Sequence, residues 1–139
     1  MGKTKEQFIR DGINKYLKLL KPFTDIMLKE LKEEKGKDIR RMTEKDGEKV
    51  VSLNIPYILL DEKGKHLSSI EFAQFLHNNR PAVNFVIGGA YGVSEKVKRM
   101  ATTRLALSKM TLTHELSRLL LVEQLYRAFT IIRGRGYHH

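Results

Sequence analysis

The sequence predicts an α/β fold built on a parallel sheet, on three observations. Short apolar runs at residues 57–60, 83–87 and 105–107 have the length and composition of buried strands. Stretches with helical spacing lie between and around them, as a parallel sheet with crossover helices requires. Each apolar run also ends in a polar or glycine-rich segment that stops a strand.

Phe8, Ile9, Ile13, Tyr16, Leu17 and Leu20 recur at helical spacing over about residues 4–21, and Pro22 ends that helix. Ile26, Leu28 and Leu31 suggest a short strand among many lysines and glutamates. Residues 35–50 are strongly charged and read as a helix with few core anchors. Residues 57–60 form a strand, and Asp61-Glu62-Lys63-Gly64-Lys65 a turn after it. Ser68 and Ser69 can cap a helix whose apolar face is Ile70, Phe72, Ala73, Phe75 and Leu76. The strand at 83–87 runs into Gly88-Gly89-Ala90-Tyr91-Gly92, and Ser94 opens a basic helix through Lys96, Lys98 and Arg99. A short strand at 105–107 leads into the loop Ser108-Lys109-Met110-Thr111. The longest helix spans about 113–132, followed by an irregular basic tail from Arg133. There is no internal repeat and no linker, so residues 1–139 are expected to form a single domain.

Composition narrows the function. A hydrophobic fraction of 41% with 30% charged residues is that of a globular chain rather than a disordered one. No stretch approaches the roughly 18 apolar residues of a membrane span, and residues 1–6 lack the apolar core of a signal peptide. The absence of cysteine excludes disulfides and thiolate metal sites and fits a cytoplasmic protein. The 26 Lys and Arg against 16 Asp and Glu leave a net charge of +10, which favours a polyanionic partner such as nucleic acid. The alternative is a basic surface with no such partner.

In open α/β sheets ligands bind beyond the carboxyl ends of the strands. Here those ends are Leu60-Asp61, Ile87-Gly88-Gly89 and the loop from Leu107 to Thr111. Three such loops can wrap a flat, nucleotide-like cofactor with main-chain hydrogen bonds, or the double glycine is a plain turn. Neither a Walker loop nor a GxGxxG fingerprint is present. His66, His77, His114, His138 and His139 have no zinc spacing, so no metal is expected. Glu123 and Arg127 stand four apart on the long helix, which by default is a structural pair.

The stretch Phe85-Val86-Ile87-Gly88-Gly89-Ala90-Tyr91-Gly92 resembles the glycine loop of the SPOUT-class ribosomal RNA methyltransferases that act on pseudouridine N3. So does the stretch with Leu107-Ser108-Lys109-Met110-Thr111, His114, Arg118, Glu123-Gln124 and Tyr126-Arg127-Ala128-Phe129. Gly136-Tyr137-His138 is similar to that family's C-terminal signature, and residues 59–64 to its central strand and turn. The likeness is close over about residues 57–139 and loose before that.

The resemblance implies a SPOUT-type parallel sheet with helices on both faces, a C-terminal trefoil knot and a homodimer. It implies S-adenosylmethionine as cofactor, held by Leu60, Gly88 and the run Leu107, Ser108, Lys109, Met110, Thr111 and Leu112. It places His138 and Tyr137 at the methyl-transfer site and makes Arg118 and Arg127 RNA or structural contacts. Arg133 and Arg135 in the basic tail join them as RNA contacts. The implied substrate is pseudouridine N3 in large-subunit ribosomal RNA, read on the assembled ribosome, with no metal and no membrane involved.

One departure stands out. The family begins with an apolar strand ending in Val-Gly-Lys, whereas this sequence opens on Met1-Gly2-Lys3, and the region between Lys35 and Pro56 is short. The rival readings are a non-catalytic ribosome- or RNA-binding protein and a knotted methyltransferase acting on another RNA such as transfer RNA. A metabolic enzyme on a Rossmann-like sheet comes last, for want of a dinucleotide fingerprint.

Overall fold

The structure, a computed structural model, describes residues 1–79 and 82–134. Helices α1 (Gln7–Leu20) and α2 (Ile39–Val51) precede strand β1 (Ile58–His66). Then α3 (Ser69–Asn78), β2 (Phe85–Ile87), α4 (Glu95–Met100), β3 (Thr103–Ala106) and α5 (His114–Ile132) alternate. The three strands form one sheet in the order β2-β1-β3, and both pairings are parallel. The α/β class and the parallel sheet are therefore as the sequence predicts.

Alternation along β1 divides the core. Ile58 packs with Phe72, Ala73 and Leu76 of α3 and with Leu121, Leu125 and Ala128 of α5. Tyr57 and Leu59 face the other way, against Val50 of α2 and Val97 of α4. Successive strand residues point to opposite faces, so helices cover both sides of the sheet. Leu59 is fully buried, a position whose side chain contributes about 1.5–3 kcal/mol through burial. On the outer side of α5, Ile9 and Ile13 of α1 close over Val122.

Local signals set the helix boundaries. Ser68 accepts a hydrogen bond from Glu71 N, and Glu71 reaches back to Ser68 N at 2.7 Å, a complete capping box. Asp38, Ser94 and Thr113 cap α2, α4 and α5 in the same way. Not every apolar residue in the helical patterns faces the core, however: Phe8 is 63% and Ile70 49% exposed.

Two expectations are corrected. Residues 24–33 contain no strand. Leu31 accepts a hydrogen bond from Gly2 N at 2.9 Å, but a strand needs a ladder along its length. Residues 61–65 are not a turn that ends β1. The strand continues through a register shift: Leu60 and Lys65 both oppose Leu105, and His66 opposes Ala106. Residues 61–64 bulge out between those two pairings. Gly64 makes this possible, because a Cβ there would lie 2.7 Å from Leu105 N and from Arg104 C of β3. Asp61 braces the bulge by accepting from Lys63 N at 3.0 Å and pairing with Arg104 at 3.3 Å.

Because the atoms a new side chain would meet are backbone, they can yield only by prying β3 from β1. Gly64→Ala should destabilise the protein by about 1–3 kcal/mol, read as a lower urea midpoint; an unchanged midpoint would show that the bulge has slack.

Candidate active site at the strand ends

Register builds the site. Leu60 pairs with Ile87 on one side and with Leu105 on the other, so the three residues stand in one row across the sheet. Beyond that row β1 runs into its bulge at Asp61, β2 ends before Gly88, and β3 ends at Ala106, one residue before Leu107. The candidate cofactor residues Leu60, Gly88 and Leu107 therefore lie toward the same carboxyl-terminal side of the sheet, where the strand-end rule places ligands. Ser108, Lys109, Met110, Thr111 and Leu112 follow as a loop before Thr113 caps α5. Thr111 Oγ1 donates to Glu62 Oε2 at 3.0 Å, which ties this loop to the β1 bulge. Ser108 Oγ accepts from Met110 N at 2.9 Å and shapes the loop from within. Met110 is 76% exposed.

The glycine loop closes on itself. Gly92 N donates to Gly89 O at 3.0 Å, and Gly92 has φ +77°, a left-handed conformation that glycine adopts without strain. A Cβ on Gly88 would sit 3.0 Å from Val93 Cγ1 and 3.2 Å from the Gly92 backbone. Gly88 is thus packed against its own loop as well as standing at the strand end.

Two concave regions flank the sheet. One, of about 280 Å³, is lined by Leu60, Leu105, Ala106 and Leu107 together with Ser68, Ser69 and Gln124. Its polar wall is organised by a 2.7 Å hydrogen bond from Ser69 Oγ to Gln124 Oε1. An apolar surface with a few oriented polar groups at strand ends suits a flat heteroaromatic ligand. The other, of about 630 Å³, runs between the free edge of β2 and residues 24–31, with Leu121, Val122, Leu125 and Phe129 of α5 behind it. It contains none of the candidate cofactor residues, and its lining is mostly aliphatic and aromatic, with Arg118 and Glu30 among its polar groups.

The basic candidates fall into different surroundings. Arg118 is buried, and its guanidinium donates to Met1 O, to Gly2 O at 2.7 Å and to Thr4 Oγ1 at 2.7 Å, with Glu30 at 3.5 Å. Burial lowers its pKa, but a guanidinium stays charged, so its bonds are charge-assisted. In the described chain Arg118 is buried and turned inward, onto residues 1–4. Arg127 makes the expected pair with Glu123, at 2.6 and 3.1 Å. Arg133 is exposed, with its guanidinium 5.2 Å from the Phe23 ring centroid. Tyr137, His138 and Arg135 lie outside the described residues.

Several organising residues are invisible in the sequence pattern. Glu115 is buried and accepts hydrogen bonds from Lys5 N at 2.9 Å and Glu6 N at 3.1 Å, ahead of α1, whose N-cap position Glu6 supplies no side-chain cap. Glu30 accepts from both Thr4 N and Thr4 Oγ1 at 2.9 Å. His114, beside this group, has its pKa lowered by burial and then by Arg118, so it favours the neutral imidazole. Sequence separations of 26 to 117 residues explain why no local motif announces these contacts. Among the described residues no group of His, Asp or Glu is placed to hold a metal ion, and no helix is long and apolar enough to cross a membrane.

A family model described as "Predicted SPOUT methyltransferase" matches residues 1–138. A Thermodesulfovibrio yellowstonii protein named ribosomal RNA large subunit methyltransferase H is 52% identical over 139 residues, covering 99% of this chain and 94% of the relative. Proteins of the same name from Geotalea uraniireducens and Bacteroides thetaiotaomicron are 46% and 41% identical, each match covering all of this chain and 95% of the relative.

The Glu115 carboxylate has a consequence for pH. Hydrogen bonds from Glu6 N, and then Lys5 N, lower its pKa in the fold. A depressed carboxylate pKa contributes stability above the unfolded value of about 4.3, and that stability is lost as pH falls toward the folded value. Unfolding free energy measured from pH 6 down to 3 should therefore fall less steeply for Glu115→Gln than for the wild type. Parallel curves would mean that Glu115 is not the acid-sensitive contact.

Proposed function

The chain belongs to the SPOUT methyltransferase family, and on that premise we propose that it transfers a methyl group from S-adenosylmethionine to N3 of a pseudouridine in large-subunit ribosomal RNA. The observation that carries this reading is the row Ile87, Leu60 and Leu105, which brings the segments that follow it in three strands together in a chain matching ribosomal RNA methyltransferases along its whole length. The net charge of +10 supports a polyanionic substrate.

The groups at the strand ends fit such a donor. Leu60 and Leu107 offer apolar contact to a ring, and the glycine loop and residues 107–112 offer main-chain polar groups. When bound, S-adenosylmethionine supplies an electrophilic methyl carbon on a sulfonium. The chain's own work is then alignment, since the transfer is intrinsically favourable. N3 must lose its proton to attack, and His138, with Tyr137 beside it, accepts or relays that proton. Nearby cationic side chains, Arg133 and Arg135 among them, stabilise the developing anion and hold the RNA. Arg127 contributes through its pair with Glu123.

The same reading carries the rest of the family's architecture. The chain threads a C-terminal trefoil knot and pairs with a second copy. It acts in the cytoplasm on the assembled ribosome. Family membership supports each of these.

Labelled methyl should move from S-adenosylmethionine to ribosomes containing the pseudouridine and not to particles lacking it. Label on transfer RNA instead, or none with donor binding intact, would replace the substrate. An absence of donor binding would leave a binding protein. His138→Ala should lower the single-turnover rate by about 10²–10⁴-fold, and an unchanged rate would remove His138 from the chemistry.

A further inference from the structure

We propose that Glu33 is a positioning residue for the glycine loop: its carboxylate backs Gly89 and Ala90 from the free edge of β2 and sets the shape in which the loop meets the methyl donor. This deepens the donor-binding reading above and rests on it. Glu33 stands outside every motif picked out from the sequence.

The geometry is a wedge between two glycines. Glu33 Oε1 accepts a hydrogen bond from Ala90 N at 3.3 Å, across 57 residues of chain. A Cβ on Gly89 would overlap that same oxygen, and a Cβ on Gly2 would lie 2.7 Å from Oε2. The carboxylate fits because neither neighbour has a side chain.

The direction of approach separates positioning from ligand contact. β2 pairs with β1 along one edge, and Leu60 and Leu107 lie beyond that edge. The other edge is held by Met1, whose nitrogen donates to Ile87 O at 2.7 Å. Gly2 N then reaches Leu31 O, two residues before Glu33. Glu33 therefore meets the loop from the side away from the other cofactor residues. It can hold the loop's form without touching a ligand lodged between the strand ends. A loop already in its bound form loses less conformational freedom on binding, so the benefit falls on affinity.

The test compares Glu33→Ala, Glu33→Gln and Glu34→Ala in the full chain. Glu34 is the control: it pairs with Lys49 at 2.7 Å, away from the loop. In Glu33→Ala the Ala90 amide should exchange with solvent about three- to tenfold faster, the protection of one net hydrogen bond. The dissociation constant for S-adenosylmethionine, read by calorimetry, should rise by a similar factor. The methyl-transfer kcat at saturating donor should stay within about twofold, because no reacting group is lost. Glu33→Gln keeps an acceptor for Ala90 N and should recover part of both effects, and Glu34→Ala should show neither. Wild-type exchange at Ala90 in Glu33→Ala, an unchanged donor affinity, or equal shifts in Glu34→Ala would each overturn the proposal. A wild-type protein that binds no S-adenosylmethionine would sink the donor reading instead, and Ala90 exchange would then decide alone whether Glu33 shapes the loop.

Discussion

The pairing of β1 with both of its neighbours is the constraint on which the rest depends. Because β1 lies in the middle, its register with β2 and β3 decides which residues of three distant segments become neighbours. Leu60 opposite Ile87 and Leu105 aligns the β1 bulge with the carboxyl ends of β2 and β3. A slip of one residue in either pairing would turn each side chain to the wrong face, exchanging the partners of Ile58 and Leu59 between the two core clusters. The packing of α3 and α5 on one face and of α2 and α4 on the other therefore also fixes where the loops emerge.

The sheet is small, and much of what steadies the site comes from buried polar contacts. Arg118 and Glu115, both on α5, grip the first six residues of the chain through carbonyls and amides. That segment is bonded in turn to Ile87, immediately before the glycine loop. Every buried side-chain nitrogen and oxygen among the described residues has a hydrogen-bond partner. A network satisfied in this way holds one arrangement, since any slip would leave a buried polar group unpaired. α5 thus serves as core helix and as clamp, and its length suits both tasks.

Local chemistry announced the elements well. Ser68, Ser94 and Thr113 cap helices where the sequence suggests helix starts, and the runs at 57–60, 83–87 and 105–107 each overlap a strand. The misreadings had specific causes. The charged residues 61–65 carry turn chemistry, but pairing with β3 carries the strand past them. Ile26, Leu28 and Leu31 look like strand residues, yet among the described residues no strand pairs with them to form a ladder. Arg118 looked equally suited to RNA or to structure until its burial under the first residues of the chain became visible.

By itself the sequence determined the α/β class, the order of helices and strands from residue 35 onward, the glycine loop and the basic charge. All of these follow from short-range periodicity, capping and composition, which act within a few residues. The tertiary structure alone decided the strand order, the bulge over Gly64, the inward turn of Arg118 and the seat of Glu33 beneath the glycine loop. These depend on contacts between residues far apart in the chain. Such contacts are chosen by packing and by the need to pair buried polar groups, neither of which leaves a local pattern to read.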